Sequence, residues 1–404
     1  MDAHDARRSE ALRKVQVLAD EFAENYATRD MGREFPHNEV ERLKQSGLMG
    51  LTVPVAEGGL ELSFGDVVSC LVTLAAANPS LAQVQFVHWT SVMSVAEYAT
   101  DAQRHWLYGE VIDNGRFLGN AASEKTSKNL LSGETSFSPD GASDGFRLNG
   151  RKFFATGSKA ADYFWVIAAL SDALGMAIVP KDSPGLVVHD DWDAMGQRGT
   201  ASGSVTFDNV YVRPDMMLKT LNLGETDLTS PLGLFYQSGF TAIYVGTAKG
   251  ALKQAINYVK GKTRPWFESG VETAVQDPYI LQSVGHMHAY LSGAEALLHK
   301  SAKMVEDVVA ARGKVGLEEM IQLRAEAAVA VAESKLVATE VALRVCQDIF
   351  QVCGARSTLA SEAMDRFWRD VRTLTLHDPK DYKSKLIGEY FLQGKPPSGA
   401  GWVS

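Results

Sequence analysis

The chain has 404 residues, of which 45% are hydrophobic and 22% charged, with 40 basic and 49 acidic side chains. This composition is typical of a folded globular protein with room for two or three domains. The net charge of −9 disfavours nucleic acid as the main partner, because phosphate binding needs clustered cations. We expect no membrane span, because no apolar run approaches the ~18 residues that a crossing requires.

Three cysteines, Cys70, Cys346 and Cys353, are too few and too scattered for a disulfide framework, and no histidine stands beside them at metal-ligand spacing. They predict buried thiols in a reducing compartment and no metal site. The charged segment 1–14 does not resemble a secretory leader. Together these features predict a cytoplasmic protein.

The first block, residues 1–115, has hydrophobic residues at helical spacing. Two apolar runs, 66–77 and 81–98, are separated by Asn78 and Pro79. Proline disfavours helix at the residue before it, and asparagine is a common helix cap. The block therefore predicts a helical domain in which one helix stops at Asn78 and the next begins directly after it.

The second block, residues 116–225, changes to apolar runs of strand length. The dipeptide Asn149-Gly150 is flanked by apolar residues and predicts the turn of a hairpin. The alternation in 204–212 slips at Asp208-Asn209, which indicates a turn or a β-bulge. We expect a small β domain or barrel here, with further strands at 163–170 and 176–179.

The third block, residues 226–404, returns to helical spacing. The stretch 317–353 is rich in alanine and has no glycine or proline, so it predicts one very long helix or two nearly continuous ones. Packing against a partner subunit is a use for a helix of this length. The chain as a whole is predicted to be α+β and mainly α.

Six short segments carry a more specific signal, because they follow one order along nearly the whole chain. They are LMGLTVP at 48–54, KFFATGSKAAD at 152–162, MGQR at 195–198, FDNV at 207–210, FQVCGAR at 350–356 and RFWRDVR at 366–372. As a set they resemble the acyl-CoA dehydrogenases. This resemblance implies an N-terminal helical domain over 1–115, a middle β-barrel over 116–225 and a C-terminal four-helix bundle over 226–404, assembled as a homotetramer.

Four further segments narrow the resemblance: GNAASE at 119–124, DDW at 190–192, TRPW at 263–266 and LHDP at 376–379. They resemble the dibenzothiophene monooxygenase branch, two-component enzymes that use reduced flavin made by a separate reductase. The resemblance implies that reduced flavin and O₂ form a C4a-hydroperoxide that oxygenates a small aromatic or sulfur-containing substrate. Oxygenation at sulfur is favoured, and oxygenation at nitrogen or carbon stays open.

Two alternative functions remain at this stage. Acyl-CoA dehydrogenases often carry their catalytic glutamate in a turn that here reads LHDP at 376–379, so an FAD-dependent dehydrogenase would need a displaced base, with Asp378 one step away. The other alternative is a flavin-binding scaffold without catalysis, although a scaffold would need none of the candidate site residues.

The catalytic candidates are His377, His88, Asn120 and Thr156. A neutral histidine can donate a hydrogen bond and move a proton near pH 7, which suits a group beside an oxygen intermediate. His377 stands on a predicted sharp turn and His88 in an apolar run; a lone histidine is otherwise a satisfied core or surface residue. Leu374 occupies the position at which relatives often carry a second histidine, so a two-histidine arrangement is not expected on this turn.

The cofactor-binding candidates are polar side chains, one indole and two arginines. Amide and hydroxyl groups of Asn120, Ser123 and Thr156 can bond the edge of a flavin, although such residues also cap turns. Trp192 would stack near the ring or else belong to the core. The last two candidates are Arg264 and Arg356.

The two arginines are predicted to bind phosphate, because a guanidinium matches a phosphate in a bidentate way. The alternative for either is an interface salt bridge. In the family the Arg264 region reaches the cofactor of a neighbouring subunit. Ala355 replaces a glycine that accommodates the adenine half of FAD, and Arg356 follows it, so FMN is favoured while FAD stays open.

No Gly-x-Gly-x-x-Gly motif follows a predicted strand, so direct use of a nicotinamide cofactor is not expected. The predicted partners are therefore a small-molecule substrate, O₂ and a flavin reductase, which supplies reduced FMN by transient contact or by flavin diffusion.

Overall fold

The computed structural model describes residues 3–125, 133–171, 173–222 and 229–397, which form a block of helices, a sheet and a second block of helices. The predicted boundary at 115 lies between the last helix of the first block and the first strand, and the one at 225 lies outside the described residues. The first block contains α1 (Ala3–Ala23), α2 (Tyr26–Gly32), α3 (His37–Lys44), α4 (Phe64–Ala77), α5 (Pro79–Tyr98) and α6 (Asp101–Ile112).

Capping residues set the starts of α4 and α5. The Ser63 hydroxyl accepts a hydrogen bond from the Asp66 N–H and the Asp66 carboxylate accepts one from the Ser63 N–H, a capping box. The Asn78 side chain caps α5 by accepting from the Leu81 N–H at 3.1 Å, and Pro79 occupies the first turn. The predicted stop at Asn78 is confirmed. Nearly every residue of α5 is buried, between α7 and the first strand.

The described residues of the middle block form one eight-stranded sheet. Its strands are β1 (Leu118–Ala121), β2 (Ser136–Pro139), β3 (Phe146–Lys152), β4 (Tyr163–Leu170), β5 (Ala173–Pro180), β6 (Leu186–Val188), β7 (Val205–Val212) and β8 (Leu221–Asn222). The order is β6-β7-β3-β2-β4-β5-β8, and β1 pairs in parallel with β4. One set of its buried side chains forms an apolar core of its own, whereas Trp165, Ile167, Met176 and Ile178 of β4 and β5 belong to the core of the helices.

The pairing of β3 with β7 corrects the predicted hairpin. Asp208 and Asn209 on β7 face the single residue Asn149 on β3, which confirms the bulge predicted there. Asn149-Gly150 is not a turn, because β3 runs through it without a break. Gly150 is needed for space: a Cβ there would lie 2.6 Å from the Thr135 Cα. The Asn-Gly signal therefore marks a close approach of backbones inside the sheet.

The last block contains α7 (Leu232–Gly261), α8 (Pro278–Ala311), α9 (Leu317–Cys353), α10 (Asp365–Leu374) and α11 (Lys380–Gln393). The long helices α7, α8 and α9 pack on one another, and α11 packs on α9. The 37 residues of α9 confirm the long helix predicted from its composition. None of the described helices combines the length and apolarity needed to cross a membrane. The three cysteines are buried free thiols, as predicted.

A buried carboxylate joins the three blocks. Asp370 on α10 accepts hydrogen bonds from the Tyr26 hydroxyl on α2 and from the Gln197 N–H in the loop before β7. Burial raises the pKa of Asp370 to about 6. Beside it, Arg369 pairs with Asp30 at 2.5 Å. We call these five residues the interblock clamp; it holds α10, and the turn that follows α10, against the rest of the chain.

Candidate active site

One face of α5 brings the candidate residues together. Gln83, Phe86 and Thr90 are three and four residues apart, so their side chains share a face over about 10 Å. The Gln83 amide donates to the Thr156 hydroxyl of the middle block at 3.4 Å. The Phe86 ring contacts the Phe240 ring of α7, with 5.1 Å between centroids. Residues from the sheet and from the C-terminal helices therefore meet along α5.

Thr156 belongs to a buried cluster of hydroxyl groups. Its Oγ1 lies 2.8 Å from the Ser202 hydroxyl, which lies 2.6 Å from the Thr200 hydroxyl. Within the described residues, Gln83 Oε1 and both side-chain polar atoms of Gln197 are buried without a hydrogen-bond partner. Buried polar atoms are normally paired, so this group is equipped to receive a polar ligand edge.

An aromatic wall adjoins this cluster. The Trp192 indole N–H donates to the Gln197 carbonyl at 2.9 Å. The Trp192 ring meets the Phe154 ring edge-on, with centroids 6.1 Å apart, and Phe153 packs on Phe154 at 4.8 Å. Phe154 has a left-handed φ of 58° and an exposed side chain. Trp192 therefore binds the same Gln197 carbonyl as the Thr200 hydroxyl of the cluster, with the exposed Phe154 ring beside it.

Asn120 and Ser123 lie at the end of β1. Burial raises the pKa of the Tyr236 hydroxyl on α7, and the polar side chains around it, Asn120 of β1 and Ser91 of α5 among them, oppose this rise. Asn120 therefore faces the junction of α5 and α7. Ser123 is exposed, and its carbonyl accepts from the Phe153 N–H at 2.9 Å.

A buried ion pair that sequence reasoning missed anchors this segment. Lys152 lies 2.8 Å from the Glu124 carboxylate, and both side chains are almost fully buried. The carboxylate also accepts from the Glu134 and Thr135 backbone N–H groups at 2.7 and 3.0 Å. Burial raises the pKa of Glu124, but Lys152 and these N–H groups outweigh it and lower it to about 2. The pair therefore fixes the end of the segment that carries Asn120 and Ser123.

His377 lies just after α10 and is linked to α5 through aromatic rings. Its ring stacks on Phe240 at 4.3 Å between centroids, and Phe240 contacts Phe86. Its Nδ1 lies 3.3 Å from Asp378 Oδ1. The side chain is 46% exposed, yet burial among surrounding protein atoms is the main cause of its lowered pKa. His377 therefore keeps an accessible face while protein packs around the rest of it; we call the space beside this face, along α5 from Phe86 to Thr156, the recess.

Behind His377 lies a buried charged cluster, which we call the Asp378 cluster. The Lys335 ammonium on α9 contacts the Asp378 carboxylate and the Gln237 side-chain carbonyl on α7. Lys383 on α11 lies 2.9 Å from the second Asp378 oxygen. Burial raises the pKa of Asp378, but His377 and the two lysines outweigh it and hold the pKa far below its usual range. The carboxylate therefore stays ionised.

Sequence reasoning missed Lys335, although a signal was present. Val331, Ala338 and Ala342 stand at helical spacing from it and are buried, so the lysine interrupts an apolar stripe of α9. A buried ammonium needs an anionic partner. The identity of that partner, Asp378, depends on how α9 and the turn after α10 pack, which spacing along the chain does not reveal.

Backbone groups bind both ring nitrogens of His88, the second histidine among the catalytic candidates. Its Nδ1 accepts from the Leu118 N–H at 3.0 Å, and its Nε2 donates to the Met49 carbonyl at 3.1 Å. Burial lowers the pKa of His88 to about 3, so the ring is neutral. Both ring nitrogens are used by the backbone and none is left for a ligand. We therefore assign His88 a structural role in attaching β1 to the helical block.

Arg264 and Arg356 are exposed and lie on neighbouring segments at one end of the helical bundle. The Arg356 guanidinium donates to the Lys262 carbonyl, and the Thr263 hydroxyl donates to the Cys353 carbonyl at 3.2 Å. Arg264 makes no hydrogen bond or ion pair within the described parts of the chain.

The two arginines are far from His377 within one chain. Phe240, which contacts His377, is about 20 residues before the end of α7 at Gly261, a distance of roughly 30 Å along the helix. One chain therefore does not bring the predicted phosphate ligands to the predicted catalytic histidine. Leu374 lies in the apolar core, and its carbonyl accepts from the Tyr244 hydroxyl at 3.1 Å, so it offers no polar side chain to the recess.

The residues along α5 fit a flavin ring. The polar edge of such a ring needs donors and acceptors, which Thr156, Ser202, Gln83 and Asn120 supply, and its faces need apolar contacts, which the aromatic wall supplies. In the part of the chain that the structure describes, no group of three or more His, Cys, Asp or Glu residues is placed to hold a metal ion.

Family models match almost the whole chain in the order of the three blocks. They are the N-terminal, middle and C-terminal domains of acyl-CoA dehydrogenase, over residues 7–113, 120–210 and 238–381. The chain therefore belongs to the acyl-CoA dehydrogenase family. The fold class predicted from the motifs is confirmed.

Within that family the chain is similar to flavin-dependent monooxygenases. A dibenzothiophene monooxygenase of Rhodococcus qingshengii is 33% identical over 97% of this chain and 95% of its own length. SfnC of Pseudomonas putida, a probable FMNH2-dependent monooxygenase, is 30% identical over 96% of each chain. The structure of TdsC from Paenibacillus sp. A11-2 with FMN and indole matches with a TM-score of 0.89 and 33% identity, covering 98% of this chain and 100% of that one. The predicted dibenzothiophene monooxygenase branch is confirmed.

Proposed function

We propose that the protein is a monooxygenase that takes up reduced FMN and uses O₂ to oxygenate a small aromatic or sulfur-containing substrate, with sulfur as the favoured atom. The observation that carries this proposal is the recess along α5. His377, which stacks on Phe240, and the hydroxyl cluster at Thr156 both adjoin the same face of this helix. The named activities of the relatives, which act on dibenzothiophene or depend on FMNH2, support the cofactor and the substrate class.

Each residue has a defined part in this proposal. Bound reduced FMN supplies the electrons that activate O₂. Asn120, Ser123 and Thr156 would hold the polar edge of the ring. The aromatic side chains Phe86 and Phe240 exclude water from the reacting side, which limits side reactions. His377 holds or moves a proton at the open side of the recess.

The Asp378 cluster disfavours the dehydrogenase alternative. A base that removes a proton next to a thioester needs a free carboxylate. Asp378 has one oxygen bound to Lys335 and the other to Lys383, and its pKa is held far below the usual range. A carboxylate held in this way is a weak base, so it does not replace the glutamate that the turn lacks.

The proposed assembly is a homotetramer in the cytoplasm. Arg264 and Arg356 lie roughly 30 Å from His377 along α7, so the phosphate of a flavin held at His377 would be bound by arginines of a neighbouring copy. Ala355 and Arg356 suit a cofactor that ends in a phosphate, which favours FMN. A separate reductase supplies the reduced flavin, by transient contact or by diffusion.

The test is a single-turnover oxygenation assay. The protein is mixed with reduced FMN and dibenzothiophene without oxygen, O₂ is added, and the sulfoxide is measured by chromatography. We expect the native protein to form stoichiometric sulfoxide. His377→Ala should form sulfoxide about 100-fold more slowly, because a positioned acid or base typically accelerates a reaction by at least that factor. FMN affinity of this variant should stay close to native, and His105→Ala, an exposed histidine, is the matched control.

Two results would contradict the proposal. Bound FAD that is bleached by an acyl-CoA, with no sulfoxide, would identify a dehydrogenase. FMN binding without turnover of sulfides, amines or indole would identify a scaffold. Normal sulfoxide formation by His377→Ala would remove this histidine from the mechanism and leave the activity standing.

A further inference from the structure

The Asp378 cluster constrains which nitrogen of His377 carries a proton. The Nδ1 of His377 is 3.3 Å from Asp378 Oδ1, and this carboxylate is ionised because two lysines contact it. An ionised carboxylate only accepts hydrogen bonds, so Nδ1 must be the donor. A neutral imidazole with its proton on Nδ1 has a lone pair on Nε2.

Burial and the two neighbouring cations favour this neutral form of His377. Lys335 from α9 and Lys383 from α11 are two cations against the single anion Asp378, so the nearest ionisable groups are net positive. Burial is the largest cause that lowers the pKa of His377; the hydrogen bond and the charge of Asp378 oppose it, and both lysines add to the lowering. From α7, Tyr244 is the titratable group; it is buried, its pKa is raised well above the usual value, and it stays neutral.

The recess leaves the other nitrogen accessible. His377 is 46% exposed, and its polar contact among the described residues is with Asp378, through Nδ1. The ring is held in place by stacking on Phe240 at 4.3 Å. Nε2 is therefore available to a ligand in the recess.

We infer that Asp378, held by Lys335 and Lys383, is a positioning residue that fixes the proton of neutral His377 on Nδ1 and presents Nε2 as an acceptor. It acts through His377 and does not itself contact the ligand. His377 then receives a hydrogen bond or proton from an N–H or O–H group at pH 7, in contrast to the donor role expected from the sequence. That the ligand is a flavin or its substrate rests on the proposed function; the inference about the two side chains does not.

The experiment measures the titration of His377 directly, in the full-length protein without flavin. Diethyl pyrocarbonate acylates unprotonated imidazole, and the tryptic peptide 373–380 contains His377 as its single histidine. The rate of acylation of this peptide, followed by mass spectrometry across the pH range, yields the protonation midpoint. The variants are Asp378→Asn and Lys335→Met, with Lys385→Met, an exposed cation on α11, as the matched control.

The two variants are expected to shift the protonation midpoint of His377 in opposite directions. Lys335→Met removes a cation that disfavours imidazolium, so the midpoint moves to higher pH. Asp378→Asn removes the anion that favours imidazolium and leaves the cations, so the midpoint moves to lower pH. Lys385→Met leaves it unchanged. A merely structural role would not produce shifts of opposite sign.

The inference is overturned if Lys335→Met behaves like Lys385→Met, or if both Asp378→Asn and Lys335→Met shift the midpoint in one direction. If Asp378→Asn does not fold, Asp378→Glu, which keeps the carboxylate, and Lys383→Met, which should also raise the midpoint, carry the same test. A protein that titrates as expected but forms no sulfoxide would contradict the proposed function and leave this inference intact.

Discussion

Single hydroxyl and amide groups decide what the recess along α5 can bind. Thr156 shares a hydrogen bond with Ser202 and receives one from Gln83. Gln197 has polar atoms that no described residue satisfies. Leaving such groups unpaired in a dry site costs free energy, so a ligand that pairs them gains affinity.

Thr156→Val keeps the shape of the side chain and removes its hydroxyl. We expect FMN to bind about 5-fold more weakly, corresponding to about 1 kcal/mol for one hydrogen bond. Titration of the flavin fluorescence measures this. Thr206→Val, which removes a hydroxyl on β7 that contacts His189, is the control and should bind FMN normally. Unchanged FMN affinity in Thr156→Val would contradict the role of Thr156 at the flavin edge.

At the level of elements, the site depends on how α10 is held. The turn that carries His377 follows α10, and α10 is attached through the interblock clamp. Burial raises the pKa of Asp370 to about 6. A carboxyl whose pKa is raised in the folded state contributes its full stabilisation at a pH below its pKa in the unfolded chain. The contribution of Asp370 is therefore lost as the pH rises through about 6.

Tyr26→Phe tests the interblock clamp. Asp370 is ionised at about pH 8. Removing a hydrogen-bond donor from an ionised carboxylate destabilises a protein more than removing it from a protonated carboxyl. We therefore expect a loss of about 1–3 kcal/mol in the free energy of unfolding. At about pH 5 the carboxyl is protonated and the loss should be smaller. Denaturant unfolding at both pH values measures this, with the exposed Tyr382→Phe as control. An equal loss at both pH values would show that Asp370 does not titrate in this range.

At the scale of the whole molecule, one chain leaves the proposed flavin site incomplete. His377 and Arg264 are separated by roughly 30 Å of α7, so both can serve one flavin only if Arg264 comes from another copy. In a symmetric assembly every copy would both supply and receive this arginine.

Co-expression of His377→Ala chains with Arg264→Ala chains tests this arrangement. Each variant alone should be almost inactive, while random mixing should place both native residues in about a quarter of the sites. Sulfoxide formation should therefore recover to about a quarter of the native rate. The control mixes His377→Ala with Thr156→Ala, whose positions lie along α5 of one chain and should not complement. No recovery in the first mixture would contradict a shared site.

Much of the fold could be predicted from the sequence, because its signals are local. The helix stop at Asn78, the bulge at Asp208-Asn209 and the uninterrupted helix α9 follow from residue types within a few positions of one another. The ordered motifs identified the family and favoured FMN. The domain boundary at 225 and the roles of Asn120, Thr156, Trp192 and His377 stay predictions.

Only the tertiary structure decided the environment of those residues. His88 lies in an apolar run and is a catalytic candidate from the sequence alone. Its contacts, however, are with the backbone of Met49 and Leu118, which are distant from it along the chain. Asn149-Gly150 has the composition of a turn, and the opposing strand makes it part of a sheet. Lys335 and Asp378 are 43 residues apart and meet because α9 and α10 pack together. The sequence by itself determined the elements and the family; contacts between distant segments determined which polar groups are free to act.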